Sequence, residues 1–284
     1  MASDITGPKR HHFVPRMLQK RFVDEDGYLY AHNRERPTFN IYRARPENLF
    51  VQSHLYSEIE VDGKRQPRTE RRISNLENAA DRIIEYIINS IHSGKLPTLS
   101  DKHLDIWYHF FVLQWRRVPD LSNSPENKAI GEEVFSEIIA DARIQFPQFG
   151  SQIDQMGEPS NRARLIHNSR LASLGMSAIV LEALRTRGLA IAKIYNPRKK
   201  FILSSRPVIK LTEPGKAEIT HPECQTWLPV APDIALGLGR GPGTISLHAI
   251  SEAEVRYLNL ATARQSQTIA SSSYALIRSI ARPR

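Results

Sequence analysis

"LAIAKIYNPRKKFILSSRPVIKL", residues 189–211, is the stretch on which the fold turns. It follows Gly188 and ends a long run of helical spacing. "LAIAKIY" and "FILSS" are short apolar runs of strand length, and "NPRKK" between them carries an Asn-Pro turn signal. The pattern predicts a β-hairpin, with "PVIKL" extending its second arm past Pro207. "TWLPVAPDIALGLG" and "TISLHAI" read as two further strands. "GLGRGPG", residues 237–243, has the glycines of a phosphate loop but no Gly-Lys-Ser/Thr ending and no clear helix after it, so it reads as a flexible hairpin connection.

Upstream the periodicity is helical. From Thr69 to about His92, isoleucines 73, 83, 84, 87, 88 and 91 recur with Leu76 and Ala80 at steps of three and four. Gly94 reads as the C-cap. Ser100 caps "DKHLDIWYHFFVLQWRRV", which Pro119 follows. Ser124 caps "SPENKAIGEEVFSEIIADARIQF". Residues 147–160 read as a loop, and 161–188 as one long helix. Before these helices, "YLYAHN", "TFNIYRA" and "SHLYSEIEV" read as strands, preceded by a short helix in "PRMLQKRF". After the C-terminal strands, Ser251 and Glu254 form a capping box for "EAEVRYLNLATARQSQ", and "SYALIRS" is a last strand or helical turn.

Strands, then helices, then strands predict an α+β fold. Its mixed or antiparallel sheet comes from N- and C-terminal strands, with the central helices packed on it. The chain reads as a single domain, 1–284. Residues 1–66 hold the first strands and the short helix, 67–188 the helical block, and 189–284 the last strands and helix.

The 284 residues carry a net charge of +9, and arginine supplies most of it, with 28 Arg against 11 Lys. Arginine is the planar, bidentate partner of phosphate and carboxylate, so nucleic acid or a nucleotide is the expected partner. The single cysteine, Cys224, excludes an internal disulfide and argues against a thiolate zinc site. A cytoplasmic setting fits. No apolar run reaches the roughly 20 residues a membrane span needs, and the N-terminus lacks the apolar core of a secretory signal.

"PKRHHFVPRMLQKRF", residues 8–22, concentrates two histidines and five cations. Pro15 suits the first turn of a helix, and a helix N-terminus attracts anions. His11, His12 and Arg16 therefore read as part of an anion pocket, with a histidine as general acid or base. On an extended segment adjacent side chains face opposite ways, so one histidine faces the site and the other supports it. In "HFFVLQWRRVP", Trp107, Phe110, Gln114 and Arg117 share one helix face. Arg117 is a candidate second anion ligand beside Gln114, or else snorkels past the tryptophan. Glu77, among isoleucines, is placed to meet a buried arginine. Ser205, at the end of "FILSS", is a candidate hydrogen-bond donor; no nucleophile elbow surrounds it.

In order along the chain, "HHFVPRMLQKRF", "GYLYAHNR", "NLFVQSHLYS", "ISNLENAADRII", "LQWRRVPD", "FILSSRPV" and "RYLNLATAR" resemble the segments of the bacterial domain of unknown function 4238 family. The resemblance covers nearly the whole chain. It implies that His11, His12, Arg16, Gln114, Arg117 and Ser205 meet, and it supplies no reaction. One departure stands out: where the family's strand commonly ends Ser-Asp-x-Pro-Val, this chain has Ser205.

Three functions follow as expectations. The first is a nuclease-like hydrolase with His11 or His12 as acid or base, Arg16 and Arg117 on the phosphate, and Gln114 and Ser205 positioning substrate; a bacterial defence or toxin effector is one setting for it. The second is a non-catalytic nucleic-acid or nucleotide binding module. The third is a structural subunit of a larger complex. No cofactor is expected, and a divalent metal stays open.

Overall fold

The computed structural model describes residues 8–36, 38, 40–119, 125–211, 221 and 223–282. The chain divides into two compact units. One holds the chain up to His11, Gln52–Ser74 and Pro119–Gly175. The other holds His12–Val51, Asn75–Val118 and Met176–Arg284.

The second unit carries the main sheets. Along the chain as a whole, strands β1 (Arg10–His12), β2 (Leu29–Asn33), β3 (Ile41–Ala44), β4 (Val51–Ser53), β5 (Glu58–Ile59) and β6 (Arg65–Gln66) precede the long helices. β7 (Leu189–Lys193), β8 (Leu203–Ser204), β9 (Ile209–Leu211), β10 (Gln225–Ala231), β11 (Ile234–Leu238), β12 (Ile245–Ala249) and β13 (Thr268–Ser271) follow them. A five-stranded sheet has the order β12-β7-β11-β10-β9, and a four-stranded sheet the order β3-β2-β13-β8. The fold is therefore mixed α+β, and the four-stranded sheet joins N-terminal to C-terminal strands as expected.

The predicted hairpin over 189–205 does not form. β7 lies between β11 and β12, while β8 pairs with β13 in the other sheet. All five residues of β7 are buried, which suits a central strand covered on both faces. The two arms part at a shared turn: Ile194 N–H donates to the Asp233 carbonyl at 2.9 Å, and Phe201 N–H to that of Pro232 at 2.7 Å. β9 is likewise no extension of β8, since it pairs with β10.

The 237–243 glycine segment is no hairpin connection either. β11 and β12 flank β7 on opposite sides, so the chain between them steps across residues 187–189. Gly239 N–H donates to the Gly188 carbonyl and Leu189 N–H to that of Thr244. Gly188 has φ +70°, and a Cβ there would lie 2.3 Å from the Gly241 carbonyl oxygen. Glycine is required at that crossing.

The helices are α1 (Arg16–Arg21), α2 (Arg68–His92), α3 (Asp101–Arg116), α4 (Pro125–Gln145), α5 (Gly150–Gly157), α6 (Pro159–Ala172), α7 (Ala178–Arg185), α8 (Glu252–Gln265) and α9 (Tyr274–Ala281). Ile84 and Ile87 of α2 and Trp107 and Phe111 of α3 pack on Leu189, Ile191, Leu228 and Leu236 of the five-stranded sheet. Gly94 takes φ +74° just past α2. Ser100 caps α3 and Ser251 caps α8, each in a capping box. On the four-stranded sheet, Ile277 and Ile280 of α9 pack against Ile202 and Ile269.

In the first unit, β5 and β6 form a hairpin. Asn168 of α6 bonds to it from both sides of its amide, accepting from Ile59 N–H at 3.0 Å and donating to the Ile59 carbonyl at 2.8 Å. Three sequence readings are corrected. The 147–160 loop contains a 3-10 turn and α5. The 161–188 helix is two helices, because Ser177 caps a fresh start at α7. The 53–61 strand is interrupted at His54, whose φ is +54°. The cap read at Ser124 lies outside the described residues.

Candidate functional site

The chain leaves Lys9 extended and enters α1 at Arg16 with Pro15 before it. The two histidines of this approach go to different partners. His11 is buried. Its Nδ1 accepts Tyr56 N–H at 2.8 Å, and its Nε2–H donates to the Pro8 carbonyl at 2.8 Å. Accepting at Nδ1 fixes the neutral Nε2–H tautomer. The ring also stacks on Tyr56, with centroids 5.5 Å apart and planes 2° from parallel. His12, half-buried, donates from Nε2 to the Pro46 carbonyl at 3.0 Å.

The next residues lie against the same turn, Pro46–Asn48. Arg16 pairs with Glu47 at 2.6 Å, both half exposed. The Glu47 carboxyl is held below its usual range by its own backbone N–H and then by Arg16. Buried Gln19 donates from Nε2 to the carbonyls of Val14 at 2.8 Å and Leu49 at 3.2 Å. Phe13 N–H donates to the Phe50 carbonyl. His12, Phe13, Arg16 and Gln19 together tie the opening stretch to residues 46–50, which is the work of a clamp.

Gln114 and Arg117 do meet. The Arg117 guanidinium is fully buried, so it does not snorkel. It donates from Nη1 to Glu77 Oε1 at 2.5 Å and from Nη2 to Gln114 Oε1 at 2.9 Å. The ion pair anticipated for Glu77 is formed with this arginine. Gln114 Nε2 is buried with no hydrogen-bond partner among the described residues.

Ser205 stands where β8 meets β13. Its Oγ accepts the N–H groups of Gln267 at 3.1 Å and Thr268 at 3.2 Å, and its own N–H donates to the Thr268 carbonyl at 2.8 Å. Among the described residues, hydrogen bonds join His11 to Tyr56, His12 and Arg16 to the 46–48 turn, Gln114 to Arg117, and Ser205 to β13.

An open cleft of about 1400 Å³ lies against the five-stranded sheet, lined among others by Ala190, Ala192, Trp227, His248 and Tyr257. Ser246 Oγ and His248 Nε2 are 2.9 Å apart on its exposed edge strand. Among the described residues no carboxylate orients that imidazole, so the pair lacks the third member that nucleophilic catalysis uses.

A different surface carries arginine. β3 is the outer strand of the four-stranded sheet. The guanidiniums of Arg43 and Arg45 lie over the ring of Tyr28, at 4.4 and 4.8 Å from its centroid, and Arg36 lies over Tyr42 at 4.5 Å. Arg43 also reaches Tyr30 at 5.7 Å, and its charge is matched by Asp24 at 2.8 Å and Asp26 at 2.5 Å. Among the described residues neither Arg36 nor Arg45 has a carboxylate within salt-bridge distance. The sequence held a signal for this surface. "GYLY" and "IYRAR" place tyrosine and arginine at alternate positions of neighbouring strands, a basic patch interleaved with aromatics.

Residues 10–274 match the family described as a protein of unknown function, DUF4238. The chain belongs to the DUF4238 family. No curated protein and no solved structure matches it. The DUF4238 match spans the clamp, the Arg117 pair, the Ser205 position and the arginine–tyrosine edge. Among the described residues of this DUF4238 protein no group of three or more His, Cys, Asp or Glu side chains is placed to hold a metal. No described helix is long and apolar enough to cross a membrane.

Proposed function

We propose that this DUF4238 protein is a phosphate-recognising binding module for nucleic acid or a nucleotide, without catalysis of its own. The observation that carries the non-catalytic part is His11. Both its ring nitrogens are bonded to main chain, and a general acid or base needs a nitrogen that can reach substrate. The recognition part rests on the charge of +9, dominated by arginine, and on the exposed guanidiniums of Arg36 and Arg45, which have no carboxylate partner among the described residues.

The nuclease-like reading, with His11 or His12 as acid or base, ranks below it. Arg16 and Arg117, its phosphate ligands, already hold Glu47 and Glu77, and Gln114 and Ser205 are bonded to Arg117 and β13. The family match runs through both compact units, which supports one functional domain. The buried lone thiol of Cys224 fits a reducing, cytoplasmic setting.

The test is fluorescence anisotropy with labelled single-stranded RNA, single-stranded DNA and duplex DNA across a salt series. Binding that weakens on the order of tenfold between about 50 and about 200 mM salt is the expected result, corresponding to a few phosphate contacts. No binding to any of the three at the low-salt end overturns the reading.

A further inference from the structure

We propose that the outer edge of the four-stranded sheet is the docking surface, and that its ligand is single-stranded nucleic acid whose bases stack on the guanidinium planes of Arg45 and Arg36. This rests on the binding reading above and names its site and ligand class.

Four observations converge. First, Arg45 and Arg36 are exposed, and the guanidinium carbon of each lies over a tyrosine ring within the range of a cation–π contact. Ring contact limits the rotamers of a long side chain, so less freedom is lost when a ligand binds. Second, neither guanidinium has a carboxylate partner among the described residues, so their N–H donors remain for phosphate oxygens. Arg43, by contrast, is matched by Asp24 and Asp26 and serves as the inner support of Tyr28. Third, the strand is an edge. Tyr28, Tyr30, Arg43 and Arg45 stand on one face of this edge, and Tyr42, three residues from Arg45 on extended chain, on the other, so a nucleic-acid strand that stacks on Arg45 reaches Arg36 by passing over the open edge. Tyr274 adds an exposed ring beside Tyr30, at 5.7 Å between centroids and 78° between planes. Fourth, stacking on aromatic or guanidinium planes needs splayed bases. A duplex hides its base faces, whereas a single strand offers them.

The ligand is thus distinguished from a general polyanion by the plane of the side chain and not by its charge. Arg45→Lys keeps the charge and removes the plane; Arg45→Ala removes both. Arg45 is exposed and its side chain makes no hydrogen bond among the described residues, so both variants are expected to melt with the wild type. Binding is measured by anisotropy with single-stranded RNA, duplex DNA and heparin. For Arg45→Lys the expected result is a loss on the order of tenfold for single-stranded RNA, with duplex and heparin little changed, and a further loss when Arg36→Lys is added. If Arg45→Lys binds RNA as the wild type does, the stacking surface is wrong while the binding reading survives. An equal loss on all three ligands makes the edge a plain charge patch and also overturns the inference. If the wild type binds none of them, both readings fall together.

Discussion

The main-chain N–H of Tyr56 donates to Nδ1 of His11, and the two rings lie parallel, 5.5 Å between centroids. His11 is held by main chain at both ring nitrogens. His11→Ala removes a stacked ring and leaves a main-chain donor and a main-chain acceptor without their partner. The expected cost is about 2–3 kcal/mol, read as a lower urea midpoint. An unchanged midpoint contradicts the bracing role.

Arg117 and Glu77 give a second prediction. Removing the carboxylate partner of a buried guanidinium costs roughly 3–5 kcal/mol. Glu77→Gln is expected near the lower end, because Glu77 keeps some exposure and glutamine can still accept one N–H. Adding Arg117→Met to Glu77→Gln should recover part of the loss, since the buried charge is then gone. Additive losses in the double variant, measured by urea denaturation, count against the pairing.

Ser205 answers the departure from the family's aspartate. Two N–H groups converge on its Oγ, and a carboxylate oxygen can take the same two bonds. Ser205→Ala is expected to cost about 1–2 kcal/mol, whereas Ser205→Asp should fold with its nucleic-acid affinity unchanged. New cleavage activity in Ser205→Asp would show that the position is catalytic in the family.

Acid sensitivity should centre in part on Asp233. Burial pushes its carboxyl up, but hydrogen bonds from Lys193 and His92 outweigh that and hold it below the usual range. A carboxylate depressed in the fold stabilises fully at pH values above its unfolded value of about 3.9. That stability is lost as pH falls through the lowered native value. Asp233→Asn should lower the urea midpoint at pH 7, by stranding the largely buried Lys193. It should also flatten the decline between pH 5 and pH 3. An acid limb as steep as the wild type's would remove Asp233 from this role.

These outcomes mark where the sequence was legible. Local rules read well. Isoleucines at helical steps gave α2, Ser100 and Ser251 marked helix starts, Gly94 marked a stop, and Glu77 read as the partner of a buried arginine, though not of Arg117 by name. The pairing of strands was not legible, because "LAIAK" and "FILSS" fit a hairpin as well as they fit two different sheets. Their separation is decided by β11, β12 and β13, forty to eighty residues downstream. The main-chain partners of the histidines were not legible for a similar reason. An imidazole bonded to Pro8 and Tyr56 looks in sequence like one facing a substrate, since the difference lies in main-chain atoms that carry no residue signature.

Whether the histidine pair is structural or catalytic is decided by incubating the purified protein with single-stranded RNA, duplex DNA and transfer RNA, with and without magnesium, beside the His11→Ala/His12→Ala variant. Intact nucleic acid in every wild-type sample, with salt-sensitive binding in the same tubes, is the predicted result. Cleavage by the wild type that disappears in a variant still folded by circular dichroism would contradict it and return the opening stretch to an active site.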